Sequence, residues 1–218
     1  MELTTTRKIL ICAYSGYGKS VLADFITRKY SNNGIKVVVY NTDFEETLKD
    51  SSNVVIINPI STKSDDLKYL NSMIGKVRRK ANFMLLIKDL DRFFDDNSQS
   101  SKAAKELKDL MSSGRHQRVG FIGEIKQLKY VPKKIISGSN LLFFGSFSEI
   151  DDLQRLRNYA TKREISQLKS PYFIMYDRDS LERAIVHVDM ARDVLVKDKQ
   201  LPMLSEILAH GEYDDKGI

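Results

Sequence analysis

The sequence predicts an α/β fold in which a mainly parallel sheet is flanked by helices. Short apolar runs alternate with segments whose apolar residues recur at helical spacing, which is typical of repeated strand–helix–strand units. The first apolar run, Ile9–Ala13, leads through a glycine-rich turn into an amphipathic segment, Lys19–Tyr30. Near the end, two runs separated by charged residues, Tyr172–Tyr176 and Ala184–Val188, predict a C-terminal β-hairpin.

The elements between these ends follow the same alternation. Strands are predicted where a run is apolar or β-branched, because strands covered by helices on both faces are buried. Helices are predicted where apolar residues form one stripe, as Leu67, Leu70 and Ile74 do. In chain order the predicted strands are 9–13, 35–40, 54–57, 82–87, 119–125 and 141–144, and the predicted helices are 19–30, 65–80, 102–111, 149–159 and 162–168, with a short helix after Leu201.

The composition is typical of a folded protein with a sizeable core. Hydrophobic residues make up 42% of the chain and charged residues 29%, so we expect one domain over residues 1–218. No apolar run approaches the roughly 20 residues of a membrane span. The single cysteine, Cys12, allows no disulfide within the chain, which fits a reducing compartment. The net charge of +6 suits an anionic partner such as nucleic acid, although ordinary basic proteins share it.

The glycine-rich turn carries the clearest chemical signal. Gly18-Lys19-Ser20 completes the pattern G-x-x-x-x-G-K-[ST], with Ala13 in place of the first glycine. A strand before this pattern and a helix after it let backbone N–H groups and the helix dipole surround phosphate oxygens. Lys19 then reaches the β- and γ-phosphates of ATP or GTP, and Ser20 ligates Mg²⁺. The residues that we expect to bind the nucleotide are Ser15, Gly16, Tyr17, Gly18, Lys19, Ser20 and Val21.

Acidic residues follow the predicted strand 82–87. An enzyme with this loop needs one acid to hold Mg²⁺ and a second to polarise the attacking water. In one register Asp89 orients Mg²⁺ and Asp91 lies near the water. In the other register Lys88 replaces the metal-side acid and Asp89 activates the water. Asp89 is required in both registers, whereas Asp91 has an alternative role in a surface ion pair with Arg92.

Further along the chain, the order of motifs resembles the FtsK–HerA superfamily of DNA-pumping ATPases. The resemblance covers roughly residues 7–188, and the small chain is most similar to the viral genome-packaging branch, which includes poxvirus-type and archaeal members. Three positions depart from the family pattern: Ala13, Lys88, and the segment 125–128 that replaces Thr-Gln-Arg-Pro. The stretches that carry the resemblance are Val37–Tyr40 with Asp43, Gly114-Arg115-His116, the strand 119–125, Gln127, Pro132-Lys133 and the strand 141–144.

The resemblance implies a RecA-like P-loop NTPase core that hydrolyses ATP in a ring of identical subunits, a pentamer or a hexamer. It also implies double-stranded DNA as the substrate to be moved, a capsid or portal-vertex protein as partner, and a location in the host cytoplasm or the virion. Arg115 matches an arginine finger supplied to a neighbouring subunit, with Arg118 as the alternative. Gln127 matches the sensor of the γ-phosphate, with Lys126 as the alternative. The expected catalytic residues are Lys19, Asp89, Asp91, Arg115 and Gln127, and the expected metal ligands are Ser20 and Asp89.

Other functions remain open at this point. A motor for conjugation or chromosome processing usually carries a membrane anchor or further domains. A nucleotide kinase needs a lid with several arginines. A GTPase needs a guanine-reading Asn-Lys-x-Asp, which the sequence lacks. Lys88 among the acids also permits a non-motor nucleotide-binding assembly protein. Cationic clusters at 76–80, 102–108 and 126–134 are candidates for DNA contact, or are solvated faces.

Overall fold

The computed structural model describes residues 4–42, 47–49, 51–59, 63–94, 105–147 and 149–202, without the side chains of 63–67, 78, 112–115 and 117. Asp43, the polar loop 95–101 and the predicted helix after Leu201 lie outside these residues. The strands are β1 (Lys8–Cys12), β2 (Lys36–Tyr40), β3 (Val54–Ile57), β4 (Phe83–Ile87), β5 (Val119–Ile125), β6 (Leu141–Phe144), β7 (Phe173–Asp177), β8 (Glu182–Asp189) and β9 (Val194–Leu201). The helices are α1 (Lys19–Asn32), α2 (Lys63–Arg78), α3 (Lys105–Gln117), α4 (Lys133–Gly138), α5 (Ile150–Leu156) and α6 (Lys162–Gln167), with 3₁₀ turns at Leu90–Phe93 and Leu128–Tyr130.

The nine strands form one sheet in the order β3-β2-β4-β5-β1-β6-β7-β8-β9. The six strands from β3 to β6 are parallel, and the last three are antiparallel. The prediction of a mainly parallel sheet flanked by helices is therefore confirmed. Strand β1 lies between β5 and β6, and the next strand along the chain, β2, lies on the far side of β5 and β4. Ligands of such sheets bind beside the carboxyl ends of strands where the chain changes direction in this way.

The position of β1 inside the sheet explains why residues 9–12 are all apolar. Ile9, Leu10, Ile11 and Cys12 are fully buried, because β1 pairs in parallel with β5 on one side and β6 on the other. Helices pack on such a sheet from both faces, so these four residues do not meet water. The buried position of Cys12 agrees with a core residue rather than a reactive thiol.

Two elements differ from the sequence-based prediction. The predicted hairpin is present as β7 and β8, but a further strand, β9, pairs with β8 and extends it into an antiparallel meander. Helix α3 runs six residues beyond its predicted end at Met111, to Gln117. It ends there because Arg118 adopts a left-handed conformation with a φ of 51°. Within the described part of the chain, no helix combines the length and apolar character that crossing a bilayer demands.

Candidate functional site

The glycine-rich turn joins β1 to α1 at the carboxyl edge of the sheet. Gly16 and Gly18 have φ angles of 78° and 95°, in the left-handed region where a side chain is strained. A Cβ on Gly16 would meet no atom within 4 Å, so at that position the torsion rather than space requires glycine. Gly18 is the N-cap of α1, which places the positive end of the helix dipole at the turn. The geometry fits a loop that wraps an anion.

The side chain of Lys19 is buried against this loop. Its ammonium Nζ donates a hydrogen bond of 2.9 Å to the carbonyl oxygen of Tyr14. Burial lowers the pKa of Lys19, while the carboxylates of Glu124, Asp89 and Asp91 act in the opposite direction. No ion pair of Lys19 is found among the described residues. A buried cation without a direct carboxylate partner is suited to receive phosphate oxygens.

Tyr17 fastens the loop to the antiparallel part of the sheet. Its ring is fully buried and makes edge contacts with Phe173 and with Tyr14. Its hydroxyl donates a hydrogen bond of 2.8 Å to the carbonyl oxygen of Tyr172, and Ser170 Oγ donates one of 3.2 Å to the Tyr17 carbonyl. The side chain of Tyr17 therefore packs the loop in place. Of the other predicted nucleotide-binding residues, Ser15, Gly16 and Val21 are exposed at the surface of the loop and helix.

Gly145 sets the space available to Tyr17, and we expect Gly145→Ala to displace the loop. A Cβ at this position would lie 2.4 Å from the Tyr17 ring and 2.6 Å from the Cβ of Ala13. Overpacking of this kind costs about 1–3 kcal/mol, so both the melting temperature and the affinity for ATP should fall. Gly138→Ala is the matched control, because its Cβ would meet Met111 at an ordinary 3.4 Å. Equal effects of the two substitutions on ATP affinity would contradict the prediction.

Ser20 contacts Glu124, an acid that is not among the predicted site residues. Its hydroxyl Oγ donates a hydrogen bond of 3.0 Å to Oε2 of Glu124, a residue of β5 that is only 1% exposed. The other carboxylate oxygen, Oε1, is buried and has no hydrogen-bond partner. Burial raises the pKa of Glu124 to about 7, against the opposing effects of Lys88 and the Ser20 hydroxyl. The available signal was a single charged residue inside the apolar run 119–125.

Lys88 points into the protein, where it pairs with α1. Its Nζ lies 3.5 Å from Oδ1 of Asp24, and the two side chains are 1% and 5% exposed. The other oxygen of Asp24 accepts a hydrogen bond from Thr47. The residue that interrupts the expected acids is thus a buried cation between two acidic side chains, since Lys88 also stabilises the charged form of Glu124.

The two acids predicted after β4 have different surroundings. Asp89 has a left-handed backbone, and its Oδ2 lies 2.8 Å from Nζ of Lys126. Asp91 is buried, and its two oxygens accept the backbone N–H groups of Lys126 and Gln127 at 3.1 and 3.0 Å. Burial raises the pKa of Asp91, while these N–H groups lower it. Asp91 thus fixes the turn after β5, and the side chain of Gln127 is exposed beside it.

The two candidate finger residues lie at the opposite edge of the sheet. Arg115 belongs to the last turn of α3, although its side chain lies outside the described residues, and Arg118 is exposed in the turn that follows. Both precede the amino end of β5, whereas the phosphate loop follows the carboxyl end of β1. Because β1 and β5 are parallel neighbours, these two ends are on opposite edges of the sheet. Neither arginine is brought to the phosphate loop of its own chain.

The fold matches solved structures although no family model and no curated protein sequence matches the chain. The genome packaging NTPase B204 from Sulfolobus turreted icosahedral virus 2, in complex with sulfate, superposes with a TM-score of 0.68 at 14% identity, over 84% of this chain and 96% of that one. This chain has the fold of a packaging NTPase. The structure of B204 in complex with ATP-gammaS matches with a TM-score of 0.63 at 16% identity, over 83% and 96% of the two chains.

A second kind of protein shares this packaging-NTPase fold less closely. The pCW3 conjugation coupling protein TcpA, solved with ATPgS, gives a TM-score of 0.53 at 15% identity, over 80% of this chain and 58% of that chain. The predicted P-loop NTPase core is confirmed at the level of the fold, which is consistent with the resemblance to FtsK–HerA ATPases. At these identities the similarity establishes the fold alone, so activity has to be argued from the residues of the site.

Proposed function

We propose that this chain is an ATP-hydrolysing DNA translocase, with one ATPase domain over residues 1–218, that packages a viral double-stranded DNA genome into a capsid. The observation that carries the proposal is the phosphate loop, in which glycines of positive φ, a buried lysine and the Ser20 hydroxyl meet at the carboxyl edge of the sheet. The packaging-NTPase fold supports the choice of motor. A ring of five or six subunits, docked on a capsid or portal-vertex protein in the host cytoplasm or the virion, is part of the proposal.

The residues around the loop have separate roles in the proposed reaction. Lys19 neutralises charge on the β- and γ-phosphates, and Ser20 is a ligand of Mg²⁺. Bound with ATP, Mg²⁺ neutralises further charge on the transferred phosphate. Asp89 accepts a hydrogen bond from the attacking water, and Lys126 holds the Asp89 carboxylate in position. Asp91 supports the backbone that presents the Gln127 side chain, which senses the γ-phosphate.

The arginine finger in this scheme comes from a neighbouring subunit. Arg115 and Arg118 lie at the amino-terminal edge of the sheet, away from the loop of their own chain. A head-to-tail arrangement of subunits would bring one edge towards the other, and such interfaces close into rings. The guanidinium would then stabilise the charge that develops on the transferred phosphate.

A cationic cavity beside α5 is our candidate for DNA contact. The cavity has a volume of about 660 Å³ and contains four cationic side chains, Lys129, Lys133, Arg155 and Arg157, against one acid, Asp151. The guanidinium of Arg155 donates to the carbonyl oxygens at 129 and 131, so this residue has a structural role. Lys133 and Arg157 form no ion pair within the described residues and are suited to phosphate contact.

Duplex DNA should raise the rate of ATP hydrolysis, and the double variant Lys133→Gln/Arg157→Gln should bind the duplex about tenfold more weakly. Each lost phosphate contact lowers the slope of log affinity against log salt by about 0.9, so fluorescence anisotropy at several salt concentrations should show a slope smaller by about 2. Lys36→Gln/Arg192→Gln is the matched control, since it removes the same charge from two exposed positions outside the cavity, one in β2 and one in the turn between β8 and β9. Equal losses in the two double variants would argue against this cavity.

Hydrolysis that duplex DNA leaves unchanged would favour a non-motor nucleotide-binding protein.

A further inference from the structure

Glu124 of β5 is in contact with the serine of the phosphate loop. Glu124 pairs in register with Ile11 near the end of β1, and this register brings its carboxylate to the Ser20 hydroxyl at 3.0 Å. The second oxygen of this carboxylate is buried without a hydrogen-bond partner. A carboxylate oxygen without a partner beside a hydroxyl gives two oxygen ligands of the kind that a hard divalent cation prefers.

We propose that Glu124 of β5, and not an acid of β4, is the acid that completes the Mg²⁺–nucleotide site with Ser20. This inference rests on the proposed function, because it assigns a ligand within the same nucleotide site. Glu124 holds the cation directly or through a bound water. Asp89, a metal ligand by the sequence pattern, keeps only its role towards the attacking water.

The register of the parallel strands shows how β5 can supply the acid that β4 lacks. Ile87 of β4 is opposite Gly123 of β5, so the next residues along the two strands are Lys88 and Glu124. The strand end where the sequence pattern calls for an acid therefore carries a cation, and its neighbour carries the carboxylate. The buried charge of Lys88 lies between Glu124 and Asp24 and stabilises both carboxylates. The pair of strands thus keeps an acid at this edge of the site although β4 does not supply it.

The acids after β4 are committed to other partners. Oδ2 of Asp89 is bound to the ammonium of Lys126. Both oxygens of Asp91 accept backbone N–H groups of the turn after β5, at 3.1 and 3.0 Å. A metal ion at Asp91 would have to displace these two hydrogen bonds, each of which orders the chain beside the loop. Oε1 of Glu124 can bind a cation without displacing a hydrogen bond.

The test compares nucleotide affinity with and without metal in three forms of the full chain. A fluorescent, non-hydrolysable ATP analogue is titrated in excess Mg²⁺ and in EDTA with the wild type, Glu124→Gln and Asp89→Asn. The wild type should bind at least about tenfold more tightly with Mg²⁺, the equivalent of about 1.4 kcal/mol. Glu124→Gln should lose this increase and keep the wild-type affinity in EDTA, which also shows that the variant is folded. Asp89→Asn should keep the increase.

Two further measurements separate metal binding from catalysis. Mn²⁺ bound with the same analogue gives an electron paramagnetic resonance signal that should be present in the wild type and in Glu124→Asp, and weak in Glu124→Gln. A full Mg²⁺ dependence in Glu124→Gln, its loss in Asp89→Asn, or its absence from the wild type would overturn the assignment. Metal-dependent binding that requires Glu124 in a protein that never hydrolyses ATP would support the assignment while contradicting the proposed motor.

Discussion

Replacing Lys19 with alanine is expected to remove nearly all ATP hydrolysis. The ammonium is buried against the loop and bound only to the carbonyl oxygen of Tyr14, so it can turn to the phosphates without breaking an ion pair among the described residues. Loss of a preorganised group that stabilises transition-state charge lowers kcat by about 10²–10³-fold. Release of inorganic phosphate measures the effect. Lys29→Ala on the same helix is the matched control, because Lys29 is paired with Asp193 at the surface.

The same substitution also tests the origin of the arginine finger. Subunits with Lys19→Ala retain Arg115, and subunits with Arg115→Ala retain the phosphate loop, so a mixture of the two should recover part of the lost hydrolysis. Recovery is expected because the two groups lie on opposite edges of one sheet and must meet across an interface. Wild-type hydrolysis by Lys19→Ala alone would refute the phosphate site. A mixture that stays inactive would count against a finger at Arg115.

Lys88→Met is expected to lower the free energy of unfolding by about 3–5 kcal/mol. The change leaves the carboxylate of Asp24 buried without its cation, and Glu124 loses the same positive neighbour. Removing one partner of a buried ion pair is costly because the remaining charge is buried with neither a counter-charge nor water to stabilise it. Urea denaturation followed by circular dichroism gives the free energy of unfolding.

A double-mutant cycle identifies the source of that loss. Asp24→Asn removes the acid of the pair while keeping its size, so Lys88→Met/Asp24→Asn should be destabilised by less than the sum of the two single variants. Additive effects would show that Lys88 acts through its packing alone. Lys36→Met, at an exposed position at the start of β2, serves as the control and should change stability by no more than about 0.5 kcal/mol.

The parallel part of the fold could be read from the sequence because its signals are local. The runs 54–57, 119–125 and 141–144 coincide with β3, β5 and β6. In β5 and β6 the reason is burial on both faces, which makes most of the strand apolar. The edge strand β9 escaped notice because residues 197–200 are charged or polar and exposed, so the run lacks a continuous apolar pattern. The end of α3 was predicted too early because Ser112, Ser113 and Gly114 are weak helix formers.

The candidate site was only partly predictable, because half of it depends on contacts between distant segments. The phosphate loop is a contiguous pattern, and its residues could be named with their expected roles. The contact of Ser20 with Glu124 and that of Lys88 with Asp24 depend on the order and register of strands, which a pattern of residue types does not contain. A charged residue inside an apolar strand was the one local indication of Glu124, because burial of a charge without a partner is costly.

The attachment of Tyr17 to the segment before β7 has a consequence for nucleotide affinity. Ordering one residue of a flexible backbone costs about 1–2 kcal/mol. A loop that becomes ordered only on binding lowers the binding free energy by that amount for each residue that is ordered. Here the Tyr17–Tyr172 and Ser170–Tyr17 hydrogen bonds already define the path of the loop in the protein alone. The meander β7–β9 thus preorganises the phosphate loop, and the binding free energy of ATP is not reduced by ordering of that loop.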